Sequence, residues 1–127
     1  MTLTIYQYPG CSTCRAALAW LKKARVDALS IDIVQDPPSA RELGLFWRAS
    51  GLPLRSFFNT SGVSYRAGNL KDRLGSMTED EQLAALAADG KLIKRPLLVA
   101  QKAGSKTPER VLVGFNADAY AREFPRK

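Results

Sequence analysis

Histidine is absent from this chain of 127 residues, and cysteine occurs only twice. Without imidazole there is no His-activated nucleophile and no zinc site built on His ligands. Two cysteines alone cannot close a four-coordinate structural zinc site within one chain. Long apolar runs are missing as well: nothing approaches the roughly 20 residues that a membrane-spanning helix needs, so no membrane partner is expected. The opening residues, MTLTIYQY, show no basic segment followed by an apolar one, so no secretory signal is expected. The expected compartment is the cytoplasm, where structural disulfides are rare. No P-loop, GxGxxG fingerprint or internal repeat is visible. Neither a metal nor a tightly held organic cofactor is implied.

Acidic residues are in deficit, 12 against 19 Lys and Arg, which leaves a formal charge of +7. Such a balance favours anionic partners. The basic residues are scattered, however: Lys22, Lys23 and Arg25, then a looser group from Arg66 to Arg73, then Lys91 to Arg95. This pattern reads as a solvated basic surface rather than a nucleic-acid site, and direct nucleic-acid binding is not expected. A thiolate or an oxyanion substrate would profit from the same field.

The hydrophobic pattern is legible along the chain. Residues 3–8 (LTIYQY) alternate and are β-rich, and Pro9 and Gly10 break them. Residues 12–25 carry Ala17, Leu18, Leu21 and Ala24 at helical spacing, and residues 28–34 read as a second strand. A β-α-β start of this kind joins parallel strands. Ser39 with Glu42 predicts a capping box, and Gly51 a helix stop. LPLRSFF predicts a short helix; the polar, turn-rich stretch after it predicts a helical piece only around Leu70 to Leu74. Thr78 with Glu81 repeats the capping signature before a helix that stops near Gly90. Residues 95–101 and 110–115 predict an antiparallel hairpin, and Asn116 caps a terminal helix. The order β-α-β, helices, β-β-α is that of a thioredoxin-like α/β domain spanning residues 1–127, with about 36–90 as a helical insertion.

Cys11-Ser12-Thr13-Cys14 lies where the first strand gives way to the first helix. Unpaired N–H groups and the positive dipole end favour an anion there. A thiol so placed loses its proton more easily, and the thiolate is the reactive form. Cys14, one turn on, can reach back to attack a mixed disulfide on Cys11, and Arg15 adds a positive charge. The alternatives are two inert small apolar residues, or one half of a metal site shared between chains. Pro96, at the head of a predicted strand, is either cis or a trans proline at a permitted first position. Arg95 before it either points at the sulfur or an oxyanion, or is a surface charge.

YPGCSTCRAALAWL, DPPSARELG, GLPLRSFFNTSGVSYR, NLKDRL, DGKLIKRPLLV and VGF occur in this order. Together they resemble the arsenate reductase family, over nearly all of residues 3–120. The resemblance is closest to the branch that shades into the Spx-type redox-sensing regulators. It implies a thioredoxin-like fold with a mixed sheet of about four strands, Cys11 as the catalytic thiol and a cis peptide at Pro96. Arsenate reductases of the glutaredoxin-linked type use one cysteine and three arginines. Arg95 matches the arginine before the cis proline. Asn59, or Ser61 in another alignment, stands where the second belongs, and the third falls near Thr107, with Lys106 and Arg110 closest. Arg66 is the candidate substitute, and Ser12, Thr13, Asn59 and Arg66 form the candidate set for binding an anion or a thiol substrate. An oxyanion needs several fixed donors, so two missing arginines weaken that activity.

Cys14 departs from the single-cysteine type and matches the Spx-type regulators, whose CxxC pair is an oxidation switch in a protein that binds RNA polymerase. The expected function is therefore a thiol-disulfide oxidoreductase. Cys11 attacks, Cys14 or glutathione resolves, and glutathione, thioredoxin or a glutaredoxin restores the dithiol. Arg15 and Arg95 stabilise the thiolate and any bound anion. The alternative is a redox-sensing regulator docked on the RNA polymerase alpha subunit.

Overall fold

The first strand, β1 (Thr2–Gln7), buries one side chain on each face, Ile5 on one and Tyr6 on the other. A strand of this kind must be covered by helices on both sides. The computed structural model describes residues 2–105 and 107–124. In it β1 lies inside a four-stranded sheet with β2 (Leu29–Asp32), β3 (Leu97–Gln101) and β4 (Pro108–Val113), in the order β2-β1-β3-β4. β1 and β2 run parallel, as the intervening α1 (Ser12–Lys23) requires, and β3 is antiparallel to both β1 and β4.

Ile5 and Leu98, paired across β1 and β3, form one core with Ala17 and Leu21 of α1 and Tyr120 of α6 (Ala117–Glu123). On the opposite face Tyr6, Leu97 and Val99 pack with the helices between β2 and β3. Those are α2 (Ala40–Ser50), α3 (Val63–Ala67), α4 (Leu70–Arg73) and α5 (Glu79–Ala88), with short 3₁₀ turns between them. Leu43, Phe46, Phe57, Leu83 and Leu86 are their main contributions to this core. Each such side chain, fully buried, contributes about 1.5–3 kcal/mol.

The predicted caps form. Ser39 and Glu42 exchange hydrogen bonds of 3.0 and 3.1 Å at the start of α2, and Thr78 and Glu81 bonds of 2.8 and 3.1 Å at the start of α5. Asn116 Oδ1 accepts from the Ala119 N–H at 3.0 Å, and Gly51 stops α2 at φ 71°.

Several boundaries fall elsewhere than predicted, each for a local reason. β2 ends at Asp32 because its carboxylate accepts from the N–H groups of Val34 and Gln35, which turns the chain. β3 begins after Pro96, which has no N–H to give the ladder. β4 begins at Pro108 rather than 110, through a register shift at Ala100/Gln101, and stops before Gly114, at φ 77°. The α3 helix was not predicted. It is five residues long and buries none of them, so it carries no apolar periodicity.

The first helix ends at Lys23, two residues short of the predicted Arg25. Val26 N–H bonds to the Leu21 carbonyl and Arg25 N–H to that of Lys22, the pattern of a Schellman stop. This forces Arg25 to φ 59°, a left-handed conformation costly for a residue with a Cβ. We expect Arg25→Gly to stabilise the fold by about 0.5–1 kcal/mol, the relief being partly offset by glycine's freedom when unfolded. A lower urea midpoint for the variant would show that the stop is not strained.

Candidate active site

Cys11 is the N-cap of α1. Its backbone is extended (φ −97°, ψ 116°), and its Sγ accepts the Cys14 N–H at 3.3 Å. No acidic residue occupies the first turn of α1. The turn before it is closed by the Cys11 N–H donating to the Tyr8 carbonyl at 3.0 Å. The two thiols are free and unequal: Cys11 is half-buried, Cys14 fully buried with 0% exposure.

Burial pushes the Cys14 thiol from an ordinary 9.0 up to about 12. A hydrogen bond with the Cys11 side chain and the Cys11 charge push the same way, against a backbone hydrogen bond from Tyr8 and the charge of Arg95. Cys14 is therefore held towards its protonated form at neutral pH.

This has a consequence for stability. A thiol held protonated in the folded chain stabilises it fully below the unfolded value and ceases to do so as pH climbs towards the folded one. Burial also raises Tyr6 from 10.0 to about 12, with the charges of Glu42 and Asp36 adding to it. Burial, then the charge of Cys14, raises Tyr120 as well. The reduced protein should lose stability above pH 9.0, by at most about 1.4 kcal/mol per unit for each group. Between pH 9.0 and 10.0, below the ordinary tyrosine range, Cys14→Ala should flatten the slope of unfolding free energy against pH. An equally steep slope in the variant would count against the buried, protonated thiol.

Arg95 is delivered by a small ladder. Phe58 and Ile93 form an antiparallel bridge, Lys94 N–H donates to the Phe57 carbonyl at 2.8 Å, and Asn59 N–H to that of Leu92 at 2.7 Å. The Arg95–Pro96 peptide is cis, and the Pro96 carbonyl accepts from the Gly114 N–H at 2.8 Å. The Arg95 guanidinium lies with Cζ 5.4 Å from the centre of the Tyr8 ring. Its Nη1 donates to the carbonyls of Lys91 (3.1 Å) and Ile93 (3.3 Å), and its Nε is buried without a hydrogen-bond partner among the described residues. Asn59 Nδ2 reaches the same Lys91 carbonyl at 3.5 Å, so Asn59 stands beside Arg95.

The other predicted site residues lie less centrally. Ser12 and Thr13 are exposed in the first turn of α1. Arg15 donates to the Pro9 carbonyl at 2.8 Å, so its guanidinium clamps the turn before Cys11. Arg66 is exposed in α3, its side chain with no hydrogen bond or ion pair among the described residues. Arg110 pairs with Glu123 at 2.9 Å on α6, and Ser61 is exposed. Lys106 lies outside the described residues. Among the described residues no three His, Cys, Asp or Glu side chains converge as metal ligands would, and no helix is long and apolar enough to cross a membrane.

Two residues escape sequence reasoning. Tyr8 meets Cys11 through its carbonyl and Arg95 through its ring. Its only signal is an aromatic residue two places before a glycine. Tyr120 is buried beneath α1, its hydroxyl without a hydrogen-bond partner among the described residues, close enough for the charge of Cys14 to act on it. Its distance along the chain hides it.

A parallel β-α-β start, a closing hairpin with its helix, and paired thiols where β1 hands over to α1 define a thioredoxin-like α/β protein. Within that class the chain belongs to the ArsC family, whose family model matches residues 6–123. It is 48% identical to the protein YusI of Bacillus subtilis (strain 168), over 98% of this chain and 99% of that one. It is 30% identical to an arsenate reductase of Rhizobium meliloti (strain 1021), over 100% of this chain and 90% of the relative. The global transcriptional regulator Spx of B. subtilis is 26% identical, over 98% of this chain and 88% of the regulator. Among solved structures, an ArsC family related protein from Bacteroides fragilis superposes with a TM-score of 0.88 at 43% identity, over 96% of this chain and 97% of that one.

Proposed function

We propose that this chain is a cytoplasmic thiol-disulfide oxidoreductase of the ArsC family, with Cys11 as nucleophile and Cys14 as resolving thiol. The observation that carries the reading is the inequality of the two sulfurs: Cys11 is half-buried at the helix start and accepts the Cys14 N–H, and Cys14 is fully buried. The Cys11 thiolate attacks one sulfur of a substrate disulfide, and the other leaves as a thiolate that takes a proton from solvent. Once Cys11 is in the mixed disulfide, two of the causes that keep Cys14 protonated disappear, its hydrogen bond to Cys11 and the Cys11 charge. Burial, the largest cause, remains, so Cys14 gives up its proton only as it attacks the Cys11 sulfur. That proton passes to the departing substrate sulfur, which leaves as the second thiol with a Cys11–Cys14 disulfide behind it. An external thiol, glutathione or a thioredoxin or glutaredoxin, returns the two electrons.

Arg95 is the candidate cation of the site. A single guanidinium already committed to two carbonyls suits the carboxylate of a peptide thiol such as glutathione better than a multiply charged oxyanion. Ser12, Thr13 and Asn59 border this region, and Arg66 is assigned no role in it.

The test is single-turnover and steady-state reduction of a glutathione mixed disulfide and of arsenate, with glutathione and with a thioredoxin system. Turnover of the disulfide supports the reading. Arsenate turnover alone would move the substrate assignment. No turnover, with oxidation-dependent capture of the RNA polymerase alpha subunit, would favour a regulator, the reading suggested by the similarity to Spx.

A further inference from the structure

We propose that Tyr8 is the positioning residue for Arg95: its ring is the platform on which the guanidinium is held beside the cysteine pair. The inference rests on the thiol chemistry proposed above and adds a residue to it. The Arg95 Cζ lies 5.4 Å from the ring centre, within the range in which a cation is drawn to an aromatic face. Nη1 is tied to the Lys91 and Ile93 carbonyls, so those bonds and the ring together fix the direction of the charge.

The ring has its own support. A Cβ placed on Gly10 would lie 2.9 Å from the Tyr8 Cε2, so the side chain rests against a position that only glycine leaves open. Tyr8's backbone is fixed by the bond from the Cys11 N–H. Platform and nucleophile are therefore parts of one four-residue turn, and Arg95 comes to it from the other side of the helical insertion. A long flexible cation would otherwise sample many rotamers. The Tyr8 face removes that freedom by a contact that carries no hydrogen bond, which is why the aromatic ring and not the hydroxyl is the functional part.

The experiment uses the Cys14→Ser chain, in which one aromatic thiolate is released for each Cys11 that reacts. Two disulfide probes are compared, dianionic dithiobis(nitrobenzoate) and neutral dithiodipyridine. The ratio of their rate constants reports the charge held near the sulfur and cancels changes in its intrinsic reactivity. Tyr8→Leu should lower the ratio about threefold, and Tyr8→Phe should keep it. In an Arg95→Met background Tyr8→Leu should have no further effect. Gly10→Ala leaves both partners intact but displaces the ring, and should also lower the ratio, which provides the reading if Tyr8→Leu does not fold.

An unchanged ratio in Tyr8→Leu or Gly10→Ala, an equal loss in Tyr8→Phe, or an added loss on top of Arg95→Met would overturn the assignment. If Cys11 in the otherwise unaltered background reacts with the neutral probe no faster than free cysteine, it is the thiol reading itself that fails.

Discussion

Cys11→Ser abolishes reduction of a mixed disulfide, leaving only the rate seen without protein, and Cys14→Ser leaves a stable adduct on Cys11. These are the expected results, and they differ because the two sulfurs differ in access. A serine hydroxyl at position 11 inherits the hydrogen bond from the Cys14 N–H but does not ionise near neutral pH. The remaining thiol is buried at 0% exposure, where no bulky disulfide reaches it. In Cys14→Ser the first attack proceeds, but no second thiol lies one helical turn away to complete the exchange. Mass spectrometry after one addition of substrate should find one adduct per chain in Cys14→Ser and none in Cys11→Ser. Adducts on Cys14 in the Cys11→Ser chain, or none in either, would reverse or remove the assigned roles.

The second large effect is structural and acts at a distance from the sulfur. Gly90→Ala should destabilise the fold by about 3 kcal/mol, lowering the melting temperature on the order of 10 °C. A Cβ at Gly90 would overlap the Ile33 carbonyl oxygen and come within 2.9 Å of the Val34 Cα. The obstruction is backbone, so no rotamer change relieves it. Residue 90 opens the short turn Gly90–Leu92 that precedes Arg95, and this contact seats the end of the helical stretch on the chain leaving β2. A folded Gly90→Ala variant should therefore also show a weaker influence of Arg95 on the cysteines. A melting temperature within about 2 °C of the parent would show that the backbone there yields easily.

Much of this was written in the sequence. The alternation of residues 3–8, the helical spacing after Cys11 and two capping boxes mark β1, α1, α2 and α5 by local signals. The resemblance, not the composition, carried the cis peptide before Pro96, which the structure has. Less legible was anything set by contacts between distant segments. The sequence places the charge of Arg15 close to Cys11 but does not show that its guanidinium bonds the Pro9 carbonyl. Arg66, the candidate replacement arginine, is exposed in α3, a helix with no apolar periodicity to place it from sequence. Tyr8 was in plain view without a motif to mark it, because its role depends on where Arg95 arrives.

The cap of α1 has one further implication. The atom that terminates the first helix is the same atom proposed to perform chemistry, since the Cys14 N–H has the Cys11 Sγ as its acceptor. A blocking group on that sulfur removes its ability to become a charged acceptor for the helix start, so it weakens the cap by at most about 1 kcal/mol, the usual worth of stronger oxygen caps. Chemically silenced protein is thus an altered scaffold as well as an inert one, and a comparison of blocked with unblocked samples mixes the two.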